Sequence, residues 1–263
     1  GVITNFANAV KDKDLPAMLS AEDPNEIEPF IENLDTFTKE AKNNGTIKNT
    51  KSPLEAYSID FKDIKTETVK YSDRVARVEL VSGLIKIDVD KSKLPDESNA
   101  KSQTINLEQS NKDYIEGMES LSDDFQASDL ESKHIFYIAV KRGDLWYASG
   151  LYTSAEYARI YFNALGEEIE RPTFDEKDRV GVGSSDSNGA VKNFLGAIVG
   201  LKTEGIIEST APDRFSIGHD YKKTLVELQK DNEDNEYLKI AEDAVTITDL
   251  KTTSKANGKD REL

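Results

Sequence analysis

Two histidines, His134 and His219, and no cysteine are what this 263-residue chain offers to the commonest nucleophilic and metal chemistries. A thiolate nucleophile, a thiolate metal site, an iron–sulfur cluster and a disulfide are therefore excluded. His134 precedes a strand-like run and His219 follows Gly218 at the start of a helical one. Neither has a second ligand at metal-binding spacing, so a structural or surface role is the expectation for both. Asp88-Val89-Asp90-Lys91-Ser92 opens like a calcium loop, but Lys93 stands where the loop needs glycine and Asn99 where it needs glutamate. Gly181-Val182-Gly183 lacks the third glycine, the Lys-Ser/Thr ending and the preceding strand of a phosphate loop. No cofactor, metal site or catalytic residue is expected from these motifs. The acidic run Asp231-Asn232-Glu233-Asp234-Asn235-Glu236 reads as a loop, and Asn44-Gly45-Thr46 is a glycosylation sequon by pattern alone.

Arg142-Gly143-Asp144 is an adhesion tripeptide by its letters. It lies between IFYIAVK and LWYASGLY, two strand-like runs that need a tight reversal, and glycine supplies the positive φ of such a turn. We read it as a hairpin. A host-adhesion function would rest on these three letters alone.

The groups able to line a pocket or meet a partner are aromatic: Tyr57, Tyr137, Trp146 and Tyr147 on strand-like segments, and Tyr114 and Met118 on a helical one. The elements that must place them follow from periodicity. Ile3, Phe6, Ala7 and Val10 mark a helix over residues 2–12. Leu15, Met18 and Leu19 mark a short second helix, and Phe30, Ile31, Leu34, Phe37 and Ala41 a third over about 26–42. Asn43-Asn44-Gly45 ends it with a glycine cap signal. From Tyr57 the period becomes two. Strands are expected at 57–62, at 74–90, at 135–140 in a central position, and at 145–152, with a helix again at 154–165. Tyr57, Ile59, Phe61, Val78, Leu80, Phe136, Ile138 and Val140 form the expected core faces, with Asp60 on the opposite face of its strand. Residues 91–131 are a polar insertion in which Tyr114, Ile115, Met118 and Leu121 share one helical face. Such a helix either covers a pocket or partner surface, or simply packs on the sheet edge.

The chain holds 50 acidic and 34 basic residues, a formal charge of −16. Phosphate binding needs concentrated Lys and Arg, so nucleic acid is not an expected partner, nor is a bare anionic membrane. No apolar run approaches the roughly 18 residues of a membrane-spanning helix. The first residues, from Gly1, already pattern as helix. We therefore expect a piece of a longer protein whose signal peptide, lipid-modified cysteine or membrane anchor lies outside this chain.

Residues 1–24 align without a gap on residues 189–212. Gly1, Asn5, Phe6, Ala9 and Pro24 fall on Gly189, Asn193, Phe194, Ala197 and Pro212, with Ile3, Val10 and Leu19 on Val191, Ile198 and Ile207. Ile59–Thr66 also resembles Val245–Thr252, in the same order and at nearly the same offset. A duplication explains both matches. The expected organisation is a first domain over 1–168 carrying the insertion 91–131, a linker over 169–188, and a partial second domain over 189–263.

NFANAVKDKDLPAML, its repeat NFLGAIVGLKTEGII, and the late hairpin VKRGDLWYASGLY together resemble the NTF2-like superfamily, a cystatin-like α+β cone. The resemblance implies N-terminal helices packed on a curved antiparallel sheet, here duplicated. It also implies either a pocket enzyme or carrier, or a non-catalytic binding module. No carboxylate is paired with a tyrosine or histidine in matched positions of the sequence. We therefore expect a non-enzymatic interaction module of a bacterial cell-envelope protein. Its expected location is extracytoplasmic, membrane-anchored through a segment outside this chain. Its expected partner is another envelope protein or envelope ligand, or a second copy in a dimer.

Overall fold

The computed structural model describes residues 2–12, 14–43, 56–94, 99–200 and 202–231. The side chains of Ile3, Phe6, Ala7, Leu15, Phe30, Ile31, Leu34, Phe37 and Ala41 lie outside the described residues. So do the Asn44-Gly45-Thr46 sequon, residues 232–236 and the strand-like run 245–252. The chain divides after Arg171 into two units.

The first unit is α+β. Three helices open it: α1 (Val2–Asp12), α2 (Leu15–Ala21) and α3 (Pro24–Asn43). Asp14 caps α2 by accepting from the Ala17 N–H at 3.0 Å. Pro16 sits in the first turn, where no helical donor is lost. Strands β1 (Tyr57–Lys70) and β2 (Val75–Val89) then form a long antiparallel hairpin. Ser72 Oγ closes it by accepting from the Arg74 and Val75 amides. The pairing register breaks between Lys62 and Lys65, where Asp63 has φ 51° and the facing Gly83 φ 129°. A Cβ on Gly83 would lie 2.9 Å from the Ile64 Cα, so the bulge requires glycine there.

The other edge of β2 is shared. Residues 75–79 pair with β4 (Phe136–Arg142), and residues 84–87 pair with β3 (Gln103–Asn106). β4 pairs in turn with β5 (Leu145–Ser149), giving the antiparallel order β1-β2-β4-β5 with β3 beside β2. α1 contacts both β1 and β5, the opposite edges of that order, because the sheet is curled into a half-barrel. Phe136, Ile138, Ala139 and Val140 are all buried, so β4 is covered on both faces as a central strand should be.

One alternative is decided and one expectation needs correcting. The polar stretch 91–131 contributes β3 and then α4 (Leu107–Glu119), which packs on β2, the second of the two roles offered to its helix. Asn111 of α4 is buried where β2 passes from one partner strand to the other. Its amide donates to the Leu80 and Val81 carbonyls at 3.0 and 3.2 Å, and its Oδ1 accepts from the Ile135 N–H at 2.8 Å. One side chain thus satisfies three backbone groups that the broken ladder leaves over. The last strand stops earlier than expected. β5 ends at Ser149, which caps α5 (Gly150–Ala164) by accepting from the Tyr152 N–H at 3.0 Å. From there α5 replaces the missing strand along β4: Thr153 Oγ1 accepts from the Ile138 N–H, and Tyr157 Oη accepts from the Phe136 N–H.

The described part of the second unit is helical: α6 (Ser187–Val199), α7 (Thr203–Glu208), α8 (Ser216–Asp220) and α9 (Lys222–Asp231). Within the stretch read as a linker, Phe174 is 1% exposed against Tyr221, and Arg179 pairs with Asp220 through two 2.6 Å contacts. Gly181-Val182-Gly183 passes along Pro212 instead of opening a helix, and the Val182 N–H donates to the Glu208 carbonyl at 2.7 Å. α6 and α7 repeat the turn between α1 and α2. Asp14 N–H donates to Ala9 O and Met18 N–H to Asp14 O, while Lys202 N–H donates to Ala197 O and Ile206 N–H to Lys202 O. Each pair is displaced by the same 188 residues as the sequence match.

Candidate functional site

The six aromatic and methionine side chains singled out in the sequence occupy separate places. Tyr57 and Ile59 of β1, Ile87 of β2, Gln103 of β3 and residues 99–101 line an open groove of about 650 Å³. Its described lining holds a phenol, an amine and two amides, with neither a carboxylate nor an imidazole. Tyr114 and Met118 face inward from α4. Met118 is buried, and Tyr114 meets Tyr157 edge-on at 6.1 Å, its phenol pushed up to about 12 by burial. Tyr157 stacks on Phe136 at 4.2 Å, so aromatic rings fill the space between α4, α5 and β4. Trp146 and Tyr147 are half-buried and alternate along β5, opposite Lys141 and Val140.

Tyr137 belongs to a cluster that the sequence did not reveal. Its hydroxyl donates to the Glu22 carboxylate at 3.3 and 3.4 Å. One helical turn on, Glu26 accepts from the Ser149 hydroxyl and from the Leu151 N–H. Burial comes first among the causes that raise both carboxyls above their ordinary range, with Asp23 and the neighbouring glutamate adding repulsion to Glu22. The same two influences raise Tyr137. Beside them Asp23 is completely buried and bound by Arg142, Nε to Oδ1 at 3.0 Å and Nη2 to Oδ2 at 2.5 Å. The turn that follows has Gly143 at φ 57° and Asp144 outside the positive region, the pattern of a type II′ hairpin. The arginine of the Arg-Gly-Asp tripeptide is therefore held across the fold by Asp23.

A second constellation joins β2, the end of the insertion and α5. His134 Nδ1 lies 3.0 Å from Glu79 Oε2, and Arg77 Nη2 lies 2.8 Å from Glu79 Oε1 and donates to the Glu131 carbonyl at 2.8 Å. Burial opposes the Glu79 charge. Hydrogen bonds from His134 and Ser132, with the Arg77 charge, outweigh it and hold the carboxyl below its ordinary range. Arg159 binds both Glu156 and Glu131, and Arg171 binds the same two acids. Arginines and glutamates balance in this network, which describes a fold lock better than a proton relay. His219 of the second unit is buried, with Nε2 3.1 Å from the Thr210 carbonyl.

The lock has a consequence on the outside. Glu156 and Arg159 are the only charged residues of α5, and both point inward, 0% and 3% exposed. The outer face carries Leu151 at 50%, Phe162 at 40% and Leu165 at 46% exposure, with Ala155 and Ala158 between them. Tyr161 flanks this stripe, and Leu145 in the hairpin is exposed as well. The outer face of α5 is thus a continuous uncharged apolar stripe on a chain of charge −16.

By its architecture the first unit belongs to the α+β class, helices on a curled antiparallel sheet. Comparison with protein families, curated proteins and solved structures finds no match to this chain.

Proposed function

We propose that this chain is a non-enzymatic interaction module of a bacterial cell-envelope protein, built on an NTF2-like cone whose N-terminal helices are duplicated in the second unit. Its place is extracytoplasmic, with attachment to the membrane through a segment outside this chain. Three helices leading into a curled antiparallel sheet support the NTF2-like reading. The hydrogen bonds repeated between the α1–α2 and α6–α7 turns support the duplication.

The observation that carries the binding role is the outer face of α5, apolar, exposed and free of charge while the same helix buries its two ions. The interior offers less: the space behind that helix is filled by Phe136, Tyr157 and Tyr114. A photo-crosslinking residue at position 162 tests the role in cells that make the protein. We expect a protein adduct there and none from the same probe at Lys177. No adduct at 162, or equal adducts at both positions, overturns the reading.

The Glu22–Tyr137 pair favours one other function, a small-molecule enzyme or carrier of the same fold, because a carboxyl that keeps its proton above the usual range can donate it to a bound ligand. A ligand whose binding shifts the Tyr137 and Glu22 resonances together would establish it.

A further inference from the structure

We propose that the outer face of α5 pairs with the same face of a second copy of this chain, antiparallel about a two-fold axis at Ala158. This rests on reading that face as a docking surface and commits it to one occupant. The apolar residues recur as Leu151, Ala155, Ala158, Phe162 and Leu165, at spacings of four, three, four and three. That is the 3.5-residue repeat of a helix seam facing another helix, not the broader stripe of a helix lying on a sheet. α5 already has its inward stripe, in Tyr152, Glu156, Arg159 and Ile160, so the seam is a second one, left exposed among the described residues of the unit.

The order of sizes along the seam is self-complementary. Laid antiparallel on itself with Ala158 over its own copy, Leu151 faces Leu165, and Phe162 comes level with Ser154, beside Ala155. Large residues meet small ones beside the axis, and alanine at the axis lets the backbones approach closely. A closed two-fold contact needs this kind of palindrome, because each residue must fit its counterpart in both directions. A parallel pairing would instead set Ala155 on Ala155 and Phe162 on Phe162.

Charge allows the same contact. Two chains of −16 repel, and the outer face of α5 brings no like charge to the contact, since Glu156 and Arg159 are turned inside. The exposed parts of the seam, Tyr161 and Leu145 amount to on the order of 400–500 Å² per copy, so the interface falls at the low end of specific association. The dimer is therefore reversible and tightens as salt screens the net charge.

The chain has no cysteine, which makes a positional test clean. Sedimentation equilibrium of the full chain, from micromolar to several hundred micromolar, should show a monomer–dimer equilibrium that shifts towards dimer at higher salt. Phe162→Glu should weaken it by about 30-fold, the loss expected for a charge in an interface centre, with an unchanged circular dichroism spectrum. Ala158→Cys should oxidise to a covalent homodimer, because its two copies meet at the axis. Leu151→Cys alone should not, its counterpart lying roughly 20 Å away along the helix, beyond disulfide reach, but mixed with Leu165→Cys it should cross-link. A chain monomeric throughout that range overturns the proposal, as does a dimer indifferent to Phe162→Glu. Self-cross-linking of Leu151→Cys overturns it in favour of a parallel pair. A monomeric Ala158→Cys that resists thiol labelling overturns it in favour of cover by another segment of the same chain. If position 162 still captures a different protein in cells while the chain is monomeric, self-pairing fails and the docking role stands.

Discussion

Arg142 and Asp144 sit two residues apart in one turn and answer to different forces. The arginine supplies both hydrogen bonds of a fork to a carboxylate that no water reaches, while the aspartate is exposed. Removing one partner of such a pair leaves a buried charge unmatched. We expect Arg142→Ala to cost about 3–5 kcal/mol of stability in urea unfolding, and Asp144→Ala to stay within about 0.5 kcal/mol. Arg142→Lys should recover only part of the loss, because an ammonium cannot reproduce the fork. Equal effects of the arginine and aspartate variants would show that the tripeptide is not divided in this way. Glu22 provides a pH signature. Its folded pKa is raised above the ordinary 4.5, so the folded chain holds a proton that the unfolded chain has lost. Stability from this group is present in acid and falls as pH rises from 4.5 through the folded value. Glu22→Gln removes the charge that burial penalises while keeping an acceptor for Tyr137. The melting temperature of the variant relative to the parent should rise between pH 4 and pH 7. A pH-independent difference would contradict the raised carboxyl.

Between residue and fold, β2 and α5 show how the elements compensate one another. β2 is one strand with two partners on one edge, and Asn111 fills the gap between them. Replacing Asn111 with alanine strands two carbonyls and one amide in a buried place. We expect a loss of about 2–3 kcal/mol, with faster hydrogen exchange at Ile135 as the local readout. A stability within experimental error of the parent would mean that the three groups find other partners. α5 plays the same part along β4 after β5 ends, through Thr153 and Tyr157 at helical spacing. The strand could not run on to residue 152, as alternation suggested, because Ser149 spends its hydroxyl on capping the helix. A strand pattern and a helix start overlap in LWYASGLY, and the cap hydrogen bond decided between them.

At the scale of the whole molecule, every interaction described for the curled sheet and its helices closes within residues 2–171, including the buried ion network that ends on Arg171. A chain ending at Arg171 should keep a single cooperative thermal transition and the near-ultraviolet dichroism of its packed aromatics. Loss of both would show that the first unit needs the second. The stretch read as a linker by its polar composition holds the buried Phe174 and the Arg179–Asp220 pair, contacts that composition does not record. A polar stretch still packs if a single aromatic and a single arginine find their partners.

The amino-acid sequence by itself determined the α+β class, the three opening helices, four of the five strands of the sheet and the hairpin at Gly143, because each follows from a local period or from one residue's backbone preference. It also determined the unusual charge and the exclusion of thiol chemistry. Only the tertiary structure brought Glu22 to Tyr137, Glu79 to His134 and Asp23 to Arg142, pairs separated by 115, 55 and 119 residues. No periodicity records contacts of that range. The same holds for α5. Alternation placed Leu151 in a strand, apart from Ala155, Ala158, Phe162 and Leu165, and a helical stripe does not in any case say which side of its helix is inside. The ion network around Glu156 and Arg159 settled that, by taking the charges into the core and leaving the apolar seam to the solvent.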